Sequence, residues 1–216
     1  MLTTLQFTRY LFGLALLAVT SSLATAQDTR TLPFKNFDKL DMGSAFVINV
    51  RQGSTFSVKV TGRASDLDEL DARVSGSTLK VGFKSKMFGS SNHERVTFDI
   101  VMPALKGANF GGASRSTISG FRKQGDFDLD VSGASTLTAD FDADRLKMNV
   151  SGASTLTLRG RANSVNLDLS GASSIRATEL QVDKATVEAS GASRANFGRV
   201  ASLESQTSGA SSVSRQ

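Results

Sequence analysis

The sequence predicts an all-β chain wound as a parallel β-helix, and three observations carry that prediction. A tetrapeptide recurs six times, as Gly111-Gly112-Ala113-Ser114 and then as Ser-Gly-Ala-Ser beginning at Ser132, Ser151, Ser170, Ser190 and Ser208. Its Gly falls at 112, 133, 152, 171, 191 and 209, in steps of 21, 19, 19, 20 and 18 residues, and a period that stays near 20 marks stacked coils. On both sides of it apolar and polar residues alternate with period two, the pattern of a strand with one buried face. A β-sandwich of regularly spaced strands is the alternative architecture.

The first 26 residues are expected to be a signal peptide. Arg9 precedes the almost wholly apolar run 10–19, and Ala24-Thr25-Ala26 fits a small-x-small cleavage site. That run is half the roughly 20 residues a membrane-spanning helix needs. No Cys follows, so no lipid anchor is expected, and the mature chain would start at Gln27 with no membrane span. Residues 27–216 then form a single β-helix domain, with degenerate coils over 34–105 and regular coils over 106–216.

In the N-terminal part, Phe46, Ile48, Val50 and Phe56, Val58, Val60 alternate across Arg51-Gln52-Gly53-Ser54 and read as two strands with a turn. Ser65–Leu70 fits one helical turn, with Ser65 or Asp66 as N-cap. Val74-Ser75-Gly76-Ser77-Thr78-Leu79 resembles the later corners with one residue deleted, and Gly76 lies 36 residues before Gly112, close to two coils. Lys84–Glu94 reads as a loop, and Val96–Met102 as an apolar strand stopped by Pro103.

In the regular part, the positions two, four and six residues before each Gly are apolar: Phe127, Leu129, Val131; Leu146, Met148, Val150; Val165, Leu167, Leu169; Ala185, Val187, Ala189. A second alternating stretch follows each tetrapeptide, with Leu137, Ala139, Phe141; Leu156, Leu158; Ile175, Ala177; Ala195, Phe197. Each corner is Gly-Ala-Ser because the chain must turn where neighbouring coils approach closely, and Gly adds no bulk there. The Ser hydroxyls can bond their own backbone or the Ser of the next coil. No Asn-Gly or Asp-Gly turn signal favours a hairpin at these corners, so equivalent strands of successive coils should pair in parallel. Right-handed winding is expected from the handedness of parallel crossovers. Before Gly209 the inner positions are Leu203, Ser205 and Thr207, so the inner face turns polar in the last coil.

Composition narrows the function. The 216 residues carry a net charge of +5 with basic and acidic residues interspersed, which argues against a nucleic-acid surface. Zero Cys removes disulfides, thiolate metal sites and thiol catalysis. His93 is the only His and sits in the Ser-rich loop, where a solvated side chain is expected; no Gly-x-Ser-x-Gly elbow accompanies it. The Gly residues 112, 133, 152, 171, 191 and 209 and the Ser residues beside them are read as structural corners.

Three residues before each Gly stand Asp130, Asn149, Asp168, Glu188 and Gln206, which in a register-true stack form one outward ladder. That ladder is the tentative binding surface: an oxygen-rich strip for a glycan or cation, against the plainer reading of a polar outer face. Asp140, Asp142 and Asp144 form a second acidic cluster, expected on a loop. No catalytic, cofactor or metal residue is assigned. A polysaccharide lyase or hydrolase is the alternative function, but it would need paired carboxylates in a groove, and the chain has no Trp and only Tyr10.

Phe34-Lys35-Asn36-Phe37-Asp38, the stretch Gly43–Gly53 and the Ser-Gly-Ala-Ser ladder together resemble the head GIN domain family of putative auto-transporter adhesins. The resemblance covers roughly residues 34 to 213. It implies a β-helix-like fold, an exported location (periplasm, outer-membrane surface or extracellular) and an adhesin-like role, with no catalytic residue to carry over. No membrane barrel is expected after residue 216, and self-export by the auto-transporter route is therefore not expected. The expected partners are a glycan or other cell-surface ligand, and a second copy of the chain through the open coil end; no cofactor is expected.

Overall fold

The computed structural model describes residues 27–85 and 92–216; the expected signal peptide and the centre of the 84–94 loop lie outside the described residues. The strands follow in the order β1 (Gln27–Leu32), β2 (Lys39–Met42), β3 (Val47–Gln52), β4 (Ser57–Arg63), then the short helix α1 (Ala64–Asp68), β5 (Leu70–Ser75), β6 (Thr78–Phe83), β7 (Thr97–Met102) and β8 (Gly107–Phe110). The repeats supply β9 (Arg115–Val131), β10 (Thr136–Val150), β11 (Thr155–Leu169), β12 (Ser174–Ala189), β13 (Arg194–Phe197), β14 (Val200–Thr207) and β15 (Ser212–Arg215).

Strands β9 to β12 each run from one Gly-Ala-Ser corner to the next, and neighbours pair in parallel at the period of the repeat. Thr136 faces Thr155, and Val150 faces Leu169. The result is a β-solenoid of about 5 turns, not a sandwich. It has two walls joined at the corners. The wall before each corner contains β5, β6, β2, β8, the later halves of β9–β12, and β14. The wall after each corner runs β1, β4, β7, β3, the first halves of β9–β12, β13 and β15. The uneven repeat lengths appear as register shifts in β9–β10 and β11–β12, away from the corners.

Between the walls lies one apolar core. Every inward position read from the repeats between Phe127 and Phe197 is at most 4% exposed, Phe127, Phe141 and Phe197 included. The expected polar taper is present too: Leu203 is half-buried while Ser205 and Thr207 are exposed.

The corners stack as columns. From Ala134 onward each corner Ala N–H donates to the Gly carbonyl of the preceding coil, at 2.7 Å from Ala153 to Gly133 and 2.8 Å from Ala172 to Gly152. A Cβ on Gly191 would lie 2.6 Å from Gly171 O, and one on Gly152 or Gly171 would be nearer still to the coil below. The corner Ser points inward, buried, and closes the turn by donating to the carbonyl three residues back, as in Ser135 to Ser132 (2.8 Å) and Ser154 to Ser151 (3.0 Å). The columns therefore continue the sheet hydrogen bonding around the bend, leaving few backbone groups orphaned.

The N-terminal part departs from a run of degenerate coils. Only β2–β3 and β6–β7 stack as coils, and they stack out of chain order: β2 lies between β6 and β8, and β3 lies between β7 and β9. The strands β3 and β4 do not pair with each other, because β7 sits between them, parallel to β3 and antiparallel to β4. Gly76 is not a coil corner. Ser75 faces Thr78 across a two-residue antiparallel turn with Gly76 at φ 60, a hairpin geometry that favours Gly in its first central position. The antiparallel pairs β1–β4 and β5–β6 thus close this end of the stack.

Candidate binding face

The outward ladder forms as the repeat spacing requires, and it is longer than the repeats show. Asp130, Asn149, Asp168, Glu188 and Gln206 face one another in register from coil to coil. The row continues through Asn109 and Asp41 to Lys80. The amides bridge the acids: Asn149 Nδ2 donates to Asp130 Oδ1 at 2.6 Å and Asn109 Nδ2 to Asp41 Oδ1 at 3.2 Å, while Lys80 Nζ lies 3.5 Å from Asp41. Alternating amide and carboxylate relieves the repulsion that like charges directly opposite each other would create. Asn109 stands three residues before Gly112 and obeys the same spacing, whereas the Asp41–Lys80 extension could not be read from the sequence, because β2 and β6 stack out of chain order and lack the tetrapeptide.

Two shallow grooves cross this wall. One of about 420 Å³ runs over Asp126, Asp128, Arg145, Lys147, Asn166 and Lys184. In it Arg145 grips Asp126 at 2.5 Å and holds that carboxylate below its ordinary pKa. The other, about 410 Å³, is lined by Asp168, Glu188 and Gln206 near the last corners. Asp168 and Glu188 are the one adjacent carboxylate pair of the row, about 4.8 Å apart along the stack. Both are exposed on the same wall. Among the described residues no group of acids and His could hold a metal ion.

Asp140, Asp142 and Asp144 do not lie on a loop; they lie inside β10. The period-two pattern runs straight through them, with Phe141 and Ala143 buried between. At this second bend the coils alternate in sign. Arg122 bonds Asp140 at 2.8 Å and approaches Asp142 at 3.6 Å; Asp140 and Asp142 align with Arg159 and Arg161; and these pair onward with Glu179 (3.2 Å) and Asp183 (3.6 Å). The acidic cluster is thus compensated from the coils on both sides.

His93 is not simply solvated. Its ring stacks on Phe83 at 3.6 Å, with 2° between the planes, and its Nε2 lies 2.7 Å from Glu69 Oε2. Beside it, Asp66 is buried at 3% side-chain exposure. Asp66 sits within α1 instead of capping it; Arg63 holds the N-cap position without a side-chain cap bond. Asp66 instead accepts from Arg63 (2.8 Å) and from the Glu94 backbone N–H (3.1 Å). Burial pushes the Asp66 pKa up, but these donors and the charges of Arg63 and His93 outweigh it and hold the pKa low. Arg63 also donates to Asn92 O (2.9 Å) and pairs with Glu94 (3.3 Å). The cluster is a clamp that fixes residues 92–94 against α1.

Comparison with known proteins follows the same lines. The model of the family described as "putative auto-transporter adhesin, head GIN domain" matches residues 36–215. The chain belongs to this family. Solved structures with a similar fold include the following three. A putative adhesin from Bacteroides fragilis superposes with a TM-score of 0.75 at 18% identity, covering 89% of this chain and 98% of its own. A putative adhesin from Parabacteroides merdae gives 0.63 at 13% identity, over 88% and 96%. A putative lipid binding protein from Parabacteroides distasonis gives 0.61 at 16% identity, over 88% and 96%. At these identities the likeness shows the fold alone. No curated protein matches the chain. Among the described residues, no helix is long and apolar enough to cross a membrane.

Proposed function

We propose that this head GIN domain is a non-enzymatic, exported envelope or surface module that works by binding, as an adhesin does, and that its ligand is a repetitive glycan laid along the ladder wall. The observation that carries this reading is the unbroken register of Asp41, Asn109, Asp130, Asn149, Asp168, Glu188 and Gln206. Amides and carboxylates repeated about every 4.8 Å offer a periodic set of donors and acceptors to the hydroxyls of a polymer. The names of the Bacteroides and Parabacteroides adhesins support a binding role.

The test is retention of the protein on arrayed bacterial and host polysaccharides, repeated with a D130A/D168A/E188A variant. Binding that falls at least tenfold in the variant, with its melting temperature unchanged, is expected. Retention on no glycan, or equal retention of the variant, refutes the ladder. Release of new reducing ends from a bound polysaccharide refutes the non-enzymatic reading.

A further inference from the structure

The connection from β6 to β7 differs from every other corner of the stack. The tetrapeptide corners need four residues, whereas this one takes 13, from Lys84 to Val96. Long connections in compact domains are where binding sites concentrate. Its described part, residues 92–96, overhangs the adjoining corner columns and leaves a cleft of about 710 Å³, within the range of small-molecule sites.

The cleft is built from both sides. Its floor is the corner shelf of Ala45, Ala113 and Ala134, all exposed, and its wall carries His93 and Phe83. The wall is held by the Arg63–Asp66–Glu94 clamp and the Glu69–His93 bond, so it does not have to be ordered by a ligand. The floor is strained at its edge. Residues 43–46 stand opposite 111–114, and Ser44 takes the place of Gly112 with the same φ of 73°, followed by Ala45 at 57°. Two consecutive non-Gly residues in the left-handed region cost stability, and such strain concentrates at binding sites.

The charge of the cleft is one-sided. Arg95 and Arg115 both line it, both are exposed, and neither has an ion-pair partner among the described residues. Among the described lining residues the one carboxylate, Glu94, is engaged by Arg63.

From this geometry we infer that the cleft takes an acidic sugar unit, with the guanidinium groups of Arg95 and Arg115 binding its carboxylate. Planar guanidinium matches carboxylate in a bidentate fork. The Ala shelf and the imidazole face suit the C–H face of a pyranose, while Asn92 and Thr136 at the rim offer partners to its hydroxyls. A lipid phosphate fits less well, because the described rim bears the Glu94 carboxylate and no large exposed apolar side chain that could enter a membrane. The site is separate from the ladder wall, so either can fail without the other.

Calorimetric titration of the purified protein with trigalacturonic acid tests the inference, against its methyl-esterified neutral form, inorganic phosphate, and vesicles of phosphatidylglycerol and phosphatidylcholine. Saturable binding of the acid is expected, weakened in about 1 M NaCl, where the screening length falls to about 3 Å. R95A and R115A should each weaken it about tenfold or more, as should A134F, which fills the floor and keeps the charge. The D130A/D168A/E188A variant should bind the acid as the parent does. Arg95, Arg115 and Ala134 are exposed, and unchanged melting temperatures confirm folding of every variant. No binding of the acid, equal binding of its methyl ester or of phosphate, indifference to both arginines, or Arg-dependent vesicle binding in its place would overturn the assignment.

Discussion

Substituting Ala at Gly152 tests the stacked corners directly. At Gly191 a Cβ would sit 2.6 Å from the Gly171 carbonyl oxygen, where ordinary contact begins at 3.4 Å, and at Gly152 the approach to Gly133 O is closer. That oxygen accepts the Ala153 N–H at 2.7 Å; moving it aside pulls apart two coils bonded on either side of the corner. The left-handed backbone costs a residue with a Cβ about 1–2 kcal/mol. Crowding a packed site adds about 1–3 kcal/mol. Gly152→Ala should therefore destabilise by about 2–5 kcal/mol, which lowers the melting temperature by roughly 5–15 °C in a chain of this size. Gly76→Ala is the internal control. Its φ of 60° carries the same backbone penalty, but nothing lies within 4 Å of the added carbon. It should lose only about 1–2 kcal/mol. Gly209→Ala, in the last corner at 2.8 Å from Gly191 O, should fall between them. Urea unfolding followed by far-UV circular dichroism measures all three. Equal losses for Gly152→Ala and Gly76→Ala would show that the corners are not in contact, and the column would be refuted.

Ser116 points into the core between Ile48 and Leu137, and its hydroxyl is buried without a hydrogen-bond partner. Ser116→Ala should therefore stabilise by about 1 kcal/mol in the same unfolding assay. Asp66 has a folded-state pKa depressed below that of a free carboxylate. Its contribution is complete above the unfolded-state value of about 4 and disappears as pH falls through the lower folded value; Asp66→Asn should melt below the parent at pH 7, with the gap closing in acid. Asn149→Asp would join Asp130 to the Asp168–Glu188 pair and set four carboxylates in an unbroken row along the ladder. A loss of about 0.5–1 kcal/mol at low salt is expected, recovered at high salt by screening, and a loss that salt does not recover would mean that the row is not in register.

Residues 106–216 were legible because one device repeats there. Where Gly, Ala and Ser return at a fixed step, the alternation between them assigns every inward side chain, and the core from Phe127 to Phe197 is packed as read. The second bend was not legible, because each coil makes it differently. Gly160, at φ 107, lies against the Phe141 carbonyl, and Gly198 lies against that of Thr178; neither sits in a repeated motif. The order of the N-terminal strands is not legible for a related reason. Local alternation identifies β3, β4 and β7 as strands but says nothing about which lies beside which. Gly76 looked like a corner because a two-residue hairpin and a coil corner both call for a small left-handed residue.

The same contrast explains how the stack keeps its register. Identical corners alone would let a coil sit one step up or down the column, since each offers the next the same Gly carbonyl and Ala N–H. The second bend supplies the difference. Its rows alternate from Arg122 to Asp140 and Asp142, to Arg159 and Arg161, to Glu179 and Asp183, so displacement by one coil would set like charges together. Each exposed pair is worth little alone, but the sign of the whole series opposes the slip. The regular edge closes the backbone hydrogen bonds, and the irregular edge selects the order of the coils. The departure from coil order occurs only before β8, where the chain has neither the tetrapeptide nor the alternating arginine and aspartate rows.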